Sequence, residues 1–187
     1  MTKHKCGWCV GDELYEAYHD KEWGNPVYDD ATLFEFLILE TFQAGLSWIT
    51  ILRKRNNFFD AFDQFDYKKI ANYNEDKKAQ LLQNAGIIRN KLKVNATITN
   101  AQLFMDIQKE FGSFSKYLWA FVDNKPIKNT IDFYKNAPAN TALSDALSKD
   151  LKKRGFKFVG STVIYAFMQA VGMVNDHEVG CFRYNEV

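Results

Sequence analysis

Apolar residues recur along most of this chain at the three- and four-residue spacing of a helix, not at the two-residue alternation of a half-buried strand. The pattern predicts a helix through Leu33, Phe34, Leu37, Ile38 and Glu40 to Phe42, with Asp30 as its N-cap. Similar periodicity predicts helices over Leu46 to Lys54, Phe58 to Phe62, Asp76 to Asn84, Lys91 to Phe111, Leu143 to Arg154 and Thr162 to Val171. Gly155 and Gly172 follow two of these stretches at the place of C-terminal stops. No strand alternation extends beyond a few residues, so the expected class is all-α. With 3 Pro, 10 Gly, and neither a repeat nor a low-complexity linker, residues 1–187 are expected to form a single compact unit.

Two of the predicted helices are joined by Asn84-Ala-Gly-Ile-Ile-Arg-Asn90, a connection short enough to make an antiparallel pair, with Gly86 available for a positive φ. The outline over about residues 76–105 is that of a helix-hairpin-helix. Such a turn binds DNA when its backbone N–H groups and the start of the second helix face a phosphate, here assisted by Arg89, Lys91 and Lys93. Most glycine-containing helix turns are merely turns, and this one has a single Gly where the motif often has two.

Composition adds a boundary. A chain of 187 residues that is 47% hydrophobic and 25% charged has room for one sizeable core or two small lobes. The polar, basic start from Met1 to Cys6 is unlike a signal peptide, and no run of 18 apolar residues could span a membrane, so a soluble, cytoplasmic protein without a membrane partner is expected. The net charge of +1 hides an asymmetry: residues 1–50 carry −6 and residues 51–100 carry +5. Lys152, Lys153, Arg154 and Lys157 form a further basic run, which with Arg89 and Lys91 is a candidate phosphate-facing surface.

Two constellations carry candidate chemistry. Cys6-Gly-Trp-Cys9 near one end, His177-x3-Cys181 near the other, and His19 between them offer the sulfur and nitrogen donors that tetrahedral zinc prefers. Spacing leaves two ligand sets open: Cys6, Cys9, His177 and Cys181, or Cys6, His19, His177 and Cys181. Either would be closed by protein and therefore structural, and either would tie the termini together. A redox use of Cys6 and Cys9 lacks the strand-to-helix context of a thioredoxin-like motif. The second constellation is Glu40, a single carboxylate in apolar surroundings, followed eight residues later by Trp48. An indole face for a flat base and a carboxylate for its edge would make a base pocket. Trp8, Tyr15, Tyr18 and Trp23 crowd the same N-terminal region, where many aromatics must be core.

Taken in order, Cys6-Gly-Trp, Tyr18-His-Asp-x-Glu-Trp-Gly24, Gln43-Ala-Gly-Leu-Ser-Trp-Ile-Thr50, Asn84-Ala-Gly-Ile-Ile-Arg89, Ser144-Asp-Ala-Leu-Ser148, Leu151-Lys-Lys-Arg-Gly-Phe-Lys-Phe-Val-Gly160 and Val174-Asn-Asp-His-x-Val-Gly-Cys181 resemble the DNA-3-methyladenine glycosylase I family over nearly the whole chain. The resemblance implies a two-lobed helix-hairpin-helix glycosylase with one structural Zn²⁺ on Cys6, His19, His177 and Cys181, leaving Cys9 outside the site. It implies a base pocket of Glu40, Trp48 and Tyr18, with Trp8, Tyr15 and Trp23 as neighbours, and Gly45 close to the gap left by a flipped nucleotide. Gly86 would then belong to the DNA-binding turn. The expected substrate is alkylated double-stranded DNA, cleaved by a monomeric, monofunctional enzyme to free 3-methyladenine and an abasic site, since no Schiff-base lysine occupies a recognised place. Asp106, at a tempting distance after Gly86, is expected to be a solvated helix acid. A rival from another class is a zinc-stabilised helical module that recognises damage without cleaving it.

Overall fold

A computed structural model describes residues 3–187. Nine α-helices are present among them: α1 (Glu13–Lys21), α2 (Asp30–Gln43), α3 (Trp48–Ala61), α4 (Tyr67–Ile70), α5 (Glu75–Gln83), α6 (Lys91–Phe111), α7 (Phe114–Ala120), α8 (Ala142–Arg154) and α9 (Ser161–Ala170). No helix among the described residues is long and apolar enough to cross a membrane. The helices start where short polar side chains accept backbone N–H groups: Asp12 before α1, Asp29 before α2, Asn74 before α5, Asn90 before α6, Ser113 before α7 and a Thr141–Ser144 capping box at α8.

Helix α2 is the axis of the fold. Leu33, Phe34 and every residue from Phe36 to Phe42 are buried, so it is covered on all sides, by α3, α6, α7 and α9. A continuous apolar core extends from it through Phe58, Phe62, Phe104, Phe114, Leu147, Leu151 and Phe167. Phe104 stacks on Phe114 with ring centroids 4.2 Å apart.

Several expectations need correction. Asp30 is not the N-cap of α2; Asp29 is, and Asp30 instead accepts from the Phe114 and Ser115 N–H groups at the start of α7 and from Gln108. The stretches Leu46–Lys54 and Phe58–Phe62 are not separate helices, because α3 begins at Trp48 and runs unbroken to Ala61. The interruption in the apolar stripe is Arg55, which lies on the inward side with its guanidinium bonded to Glu22 at 2.6 Å and Glu35 at 2.7 Å. Helices α1, α4 and α7 lie outside the predicted stretches. Gly155 and Gly172 do stop their helices at positive φ.

The turn between α5 and α6 is present, but Gly86 does not adopt a positive φ. Its requirement is space: an added Cβ would lie 3.0–3.1 Å from Asn84 and Asn57 side-chain atoms. Lys54 donates to the Ala85 and Gly86 carbonyls, fastening the turn onto α3. Two-residue strands β1 (Ile127–Lys128) and β2 (Val174–Asn175) pair in parallel, Ile127 opposite Val174. This pairing fixes the C-terminal segment beside α9, and a bond from Phe182 N–H to the His4 carbonyl brings the N-terminal segment to it.

Candidate functional site

The two ends of the chain meet at four buried side chains, Cys6, His19, His177 and Cys181, whose donor atoms all lie within 4.8 Å of one another. Cys6 Sγ is 3.5 Å from His177 Nδ1, and Cys181 Sγ is 3.4 Å from His19 Nε2 and 3.8 Å from His177 Nδ1. The other nitrogen of each imidazole has its own acceptor: His19 Nδ1 is 2.8 Å from Asp20 Oδ1, and His177 Nε2 is 3.2 Å from the Trp23 carbonyl. With those nitrogens protonated, each ring turns the lone pair of its other nitrogen toward the thiols, the tautomer that a metal ligand needs, although His19 Nε2 also accepts a long bond from the Cys6 N–H at 3.4 Å. Backbone N–H groups of Glu178 and Arg183 approach Cys6 Sγ and Cys181 Sγ at 3.3 and 3.4 Å, favouring thiolates. The set can therefore bind a metal ion. Cys9 is buried but donates to the Cys6 carbonyl and is outside the cluster, so tertiary geometry selects His19 over Cys9.

Against this cluster stands an aromatic cavity of about 180 Å³, lined by Trp8, Tyr15, Tyr18, Trp23, Glu40, Gln43, Trp48, Tyr134, Ala137, Ala166, Gln169 and Asp176. All six residues expected around a base are here. Tyr18 and Trp48 meet at 5.5 Å between centroids, and Trp8 packs edge-on against both Tyr15 and Trp23. Trp23 also rests on His177 at 4.6 Å and Trp8 on His19 at 5.4 Å, so the cavity wall is braced by the two imidazoles of the cluster.

Two polar atoms of the lining are buried without any hydrogen-bond partner, Glu40 Oε2 and Trp48 Nε1. An orphaned buried acceptor costs about 1–3 kcal/mol, and finding one beside an orphaned donor in a cavity points to a polar ligand that completes both. Burial pushes the Glu40 carboxyl up to about 8. Its folded value thus exceeds that of an exposed glutamate, so the folded protein holds a proton that the unfolded chain has released. Stability from this group is full at acid pH and is lost as pH rises from the ordinary carboxylate range towards 8, by about 1.4 kcal/mol per unit at most. Urea unfolding across that window should accordingly show Glu40→Gln gaining stability relative to the parent as pH rises; parallel profiles would mean that Glu40 is not a buried acid.

The sequence pointed to neither Tyr134, Gln169 nor Asp176 as pocket residues. Asp176 was legible only as part of the Val174-Asn-Asp-His motif, and Gln169 and Tyr134 had no local signal.

The expected DNA-contacting residues differ in exposure and in what they already bond. Gly45 is exposed at positive φ with open space around it, and Leu46 beside it is also exposed, on the segment linking Gln43 to Trp48. Arg89 and Lys91 are exposed at the α5–α6 turn, and Lys157 lies near the start of α6 with its backbone bonded in both directions to the buried Asn100 side chain. Lys152 and Lys153 are exposed in the last turn of α8. Arg154 is committed elsewhere, bonded to Glu110 at 2.6 Å and Asp150 at 2.8 Å. Lys93 is buried and does not face phosphate: its ammonium caps α2 by donating to the Phe42 and Ala44 carbonyls, both at 2.7 Å. Asn90 already accepts from Leu92 and Lys93 N–H groups, and Asn84 from Gly86 N–H, which reduces what the turn's backbone can offer an anion. Asp106 is exposed beside Lys109, as a solvated helix acid should be.

A family profile described as methyladenine glycosylase matches residues 8–184. The chain is 49% identical over 180 residues to the DNA-3-methyladenine glycosylase 1 of Escherichia coli K12, covering 96% of both chains. It superimposes on a crystal structure of a 3-methyladenine DNA glycosylase I with a TM-score of 0.93 and 50% identity, covering 96% of this chain and 98% of the other. It is similarly close, with a TM-score of 0.92 at 35% identity and 95% coverage of each chain, to the Staphylococcus aureus 3-methyladenine DNA glycosylase I solved to explain 3-methyladenine recognition.

Proposed function

Because this chain belongs to the methyladenine glycosylase family, we propose that its aromatic cavity holds an alkylated adenine flipped out of duplex DNA while the base is cut from its sugar. The enzyme is a base-excision repair glycosylase: it hydrolyses the N-glycosidic bond of 3-methyladenine in alkylated DNA, frees the base and leaves an abasic site. The observation that carries the assignment of this cavity is the pair of unsatisfied buried atoms on Glu40 and Trp48, in a lining that is otherwise largely aromatic.

The chemistry asks little of the protein beyond holding the base. Methylation at N3 gives the attached base a positive charge, so it pairs poorly, flips at reduced cost and departs as a neutral molecule. As the bond from N9 to the sugar breaks, its electron pair stays with the base and cancels that charge; water adds to the sugar carbon and releases a proton to solvent. Electron-rich rings of Trp48 and Tyr18 stabilise the cationic base by stacking and cation–π attraction, on the order of 0.5–2 kcal/mol. Glu40 Oε2 accepts from the exocyclic amine, and the Trp48 N–H supplies a donor.

The fold is best read as the helix-hairpin-helix arrangement, with α5, its turn and α6 as one DNA-facing element and Arg89, Lys91, Lys152, Lys153 and Lys157 as phosphate partners; Arg154 would have to break two ion pairs to join them. For the four-residue cluster we favour zinc. Tetrahedral Zn²⁺ with thiolate and imidazole ligands separates neighbouring donor atoms by about 3.5 Å; three sulfur–nitrogen pairs here lie 3.4–3.8 Å apart, and all four donor atoms lie within 4.8 Å of one another. Cys6, His19, His177 and Cys181 would hold it with no position left for water, so it supplies structural linkage. This reading places the protein in the cytoplasm, with the DNA it repairs.

Chromatography of bases released from methylated duplex DNA tests the activity. A 3-methyladenine peak that grows with enzyme is expected. Binding to abasic DNA without release of any base would instead identify a damage-recognition module.

A further inference from the structure

The cavity lining holds two carboxylates and no lysine or arginine, and only Glu40 has a part in holding the base. The second, Asp176, is 4% exposed and accepts three hydrogen bonds: from Tyr165 O–H at 2.6 Å, from Gln169 Nε2 at 2.8 Å and from Asn129 Nδ2 at 2.7 Å. All three donors are neutral, and among the described residues no ion pair links Asp176 to a cation. The three donors hold the carboxylate oxygens in place and leave the residue without a cationic partner, an arrangement that suits a cation arriving in the cavity. The supports come from three separate places, α9, the segment after β1 and the residue's own position after β2, so the charge is held in a rigid setting at the cavity wall. Glu40 has no such donors; burial alone acts on it and favours its neutral form.

We propose that Asp176 is the fixed counter-ion of the cavity, a specificity-determining residue that selects N-alkylated purines by their positive charge, while Glu40 reads the edge of the base. The proposal rests on the assignment of this cavity to the base. It carries a kinetic signature. The charge exists in the bound lesion and disappears from the departing base, so Asp176 strengthens substrate binding and does not hold the neutral product. Loss of Asp176 should therefore raise KM more than it lowers kcat, and the enzyme should bind a cationic purine more tightly than a neutral one of the same shape.

Two small probes separate these effects: the 3,9-dimethyladeninium cation, which has a methyl where the sugar would be and cannot be cleaved, and neutral 3-methyladenine. Binding of each is followed by quenching of tryptophan fluorescence in the parent enzyme, Glu40→Gln, Asp176→Asn and the double variant, with metal content and melting temperature measured alongside. The parent and Glu40→Gln are expected to prefer the cation, and Asp176→Asn to lose about 10-fold of affinity for the cation with the neutral base changed less than about 2-fold. If the preference vanishes in Glu40→Gln, then Glu40 is the counter-ion and the proposal is wrong, whether or not Asp176→Asn folds. Equal losses for both probes in Asp176→Asn would reduce Asp176 to a structural role and likewise overturn it. If neither probe binds the parent enzyme, the base-pocket assignment itself fails, whatever Asp176 does.

Discussion

Replacing Trp48 with alanine lowers kcat/KM for 3-methyladenine release by roughly 10- to 100-fold, the equivalent of one lost base–aromatic stack of about 1–3 kcal/mol. Trp48 is 9% exposed, at the first turn of α3, and its ring meets Tyr18 across the cavity. Its removal takes away both a stacking face and the orphaned N–H donor. Because truncating a buried indole also weakens the fold, Trp48→Phe is the companion variant: it keeps an aromatic face, drops the N–H and should recover most of the rate. Single-turnover excision assays run below the melting temperature of each variant separate the two effects. Parent-like rates in Trp48→Ala would remove the residue from the site.

The second large effect concerns the clasp between the termini. Cys181→Ala, or exhaustive chelation of the parent protein, should lower the melting temperature by roughly 8–16 °C, taking about 4 kcal/mol for the linkage in a chain of this size. Excision should fall with it, because His19 and His177 are the surfaces on which Trp8 and Trp23 rest. Cys9→Ser, by contrast, should retain one equivalent of metal, since its thiol donates to the Cys6 carbonyl and is not among the four clustered donors. Scanning calorimetry paired with elemental analysis provides both readouts. A parent protein that carries no metal and melts unchanged with chelator would refute the zinc site.

Much of this was legible in the order of residues. Seven predicted stretches fall on six observed helices, because periodic burial and short polar caps are local properties that each segment carries with it. Boundaries slipped where a polar residue served a distant partner. Asp30 looks like the cap of its own helix but accepts the first two N–H groups of α7, and Arg55 looks like a break in α3 but is the inward partner of Glu22 and Glu35. Helices α1, α4 and α7 are mixed or short, and their periodicity is too weak to stand out.

For the site, the chain alone determined the inventory: the thiols and imidazoles at its two ends, one acid in an apolar helix, and a surplus of aromatics in its first fifty residues. It left Cys9 and His19 as rivals, because spacing counts residues and not ångströms. The family resemblance implied His19, and the physical reason lies in the fold, which brings His19 of α1, not Cys9, beside a C-terminal segment fixed by the β1–β2 pairing. The same three-dimensional closure sent Lys93 inward to cap α2, tied Arg154 to two carboxylates and put Asp176 in the wall of the cavity. Helices follow from neighbours a few residues apart. The partner of a charge can lie tens of positions away, as Phe42 does from Lys93, and the wall of a cavity built from α1, α2, α3, α9 and the segment after β2 joins residues more than one hundred positions apart in the chain.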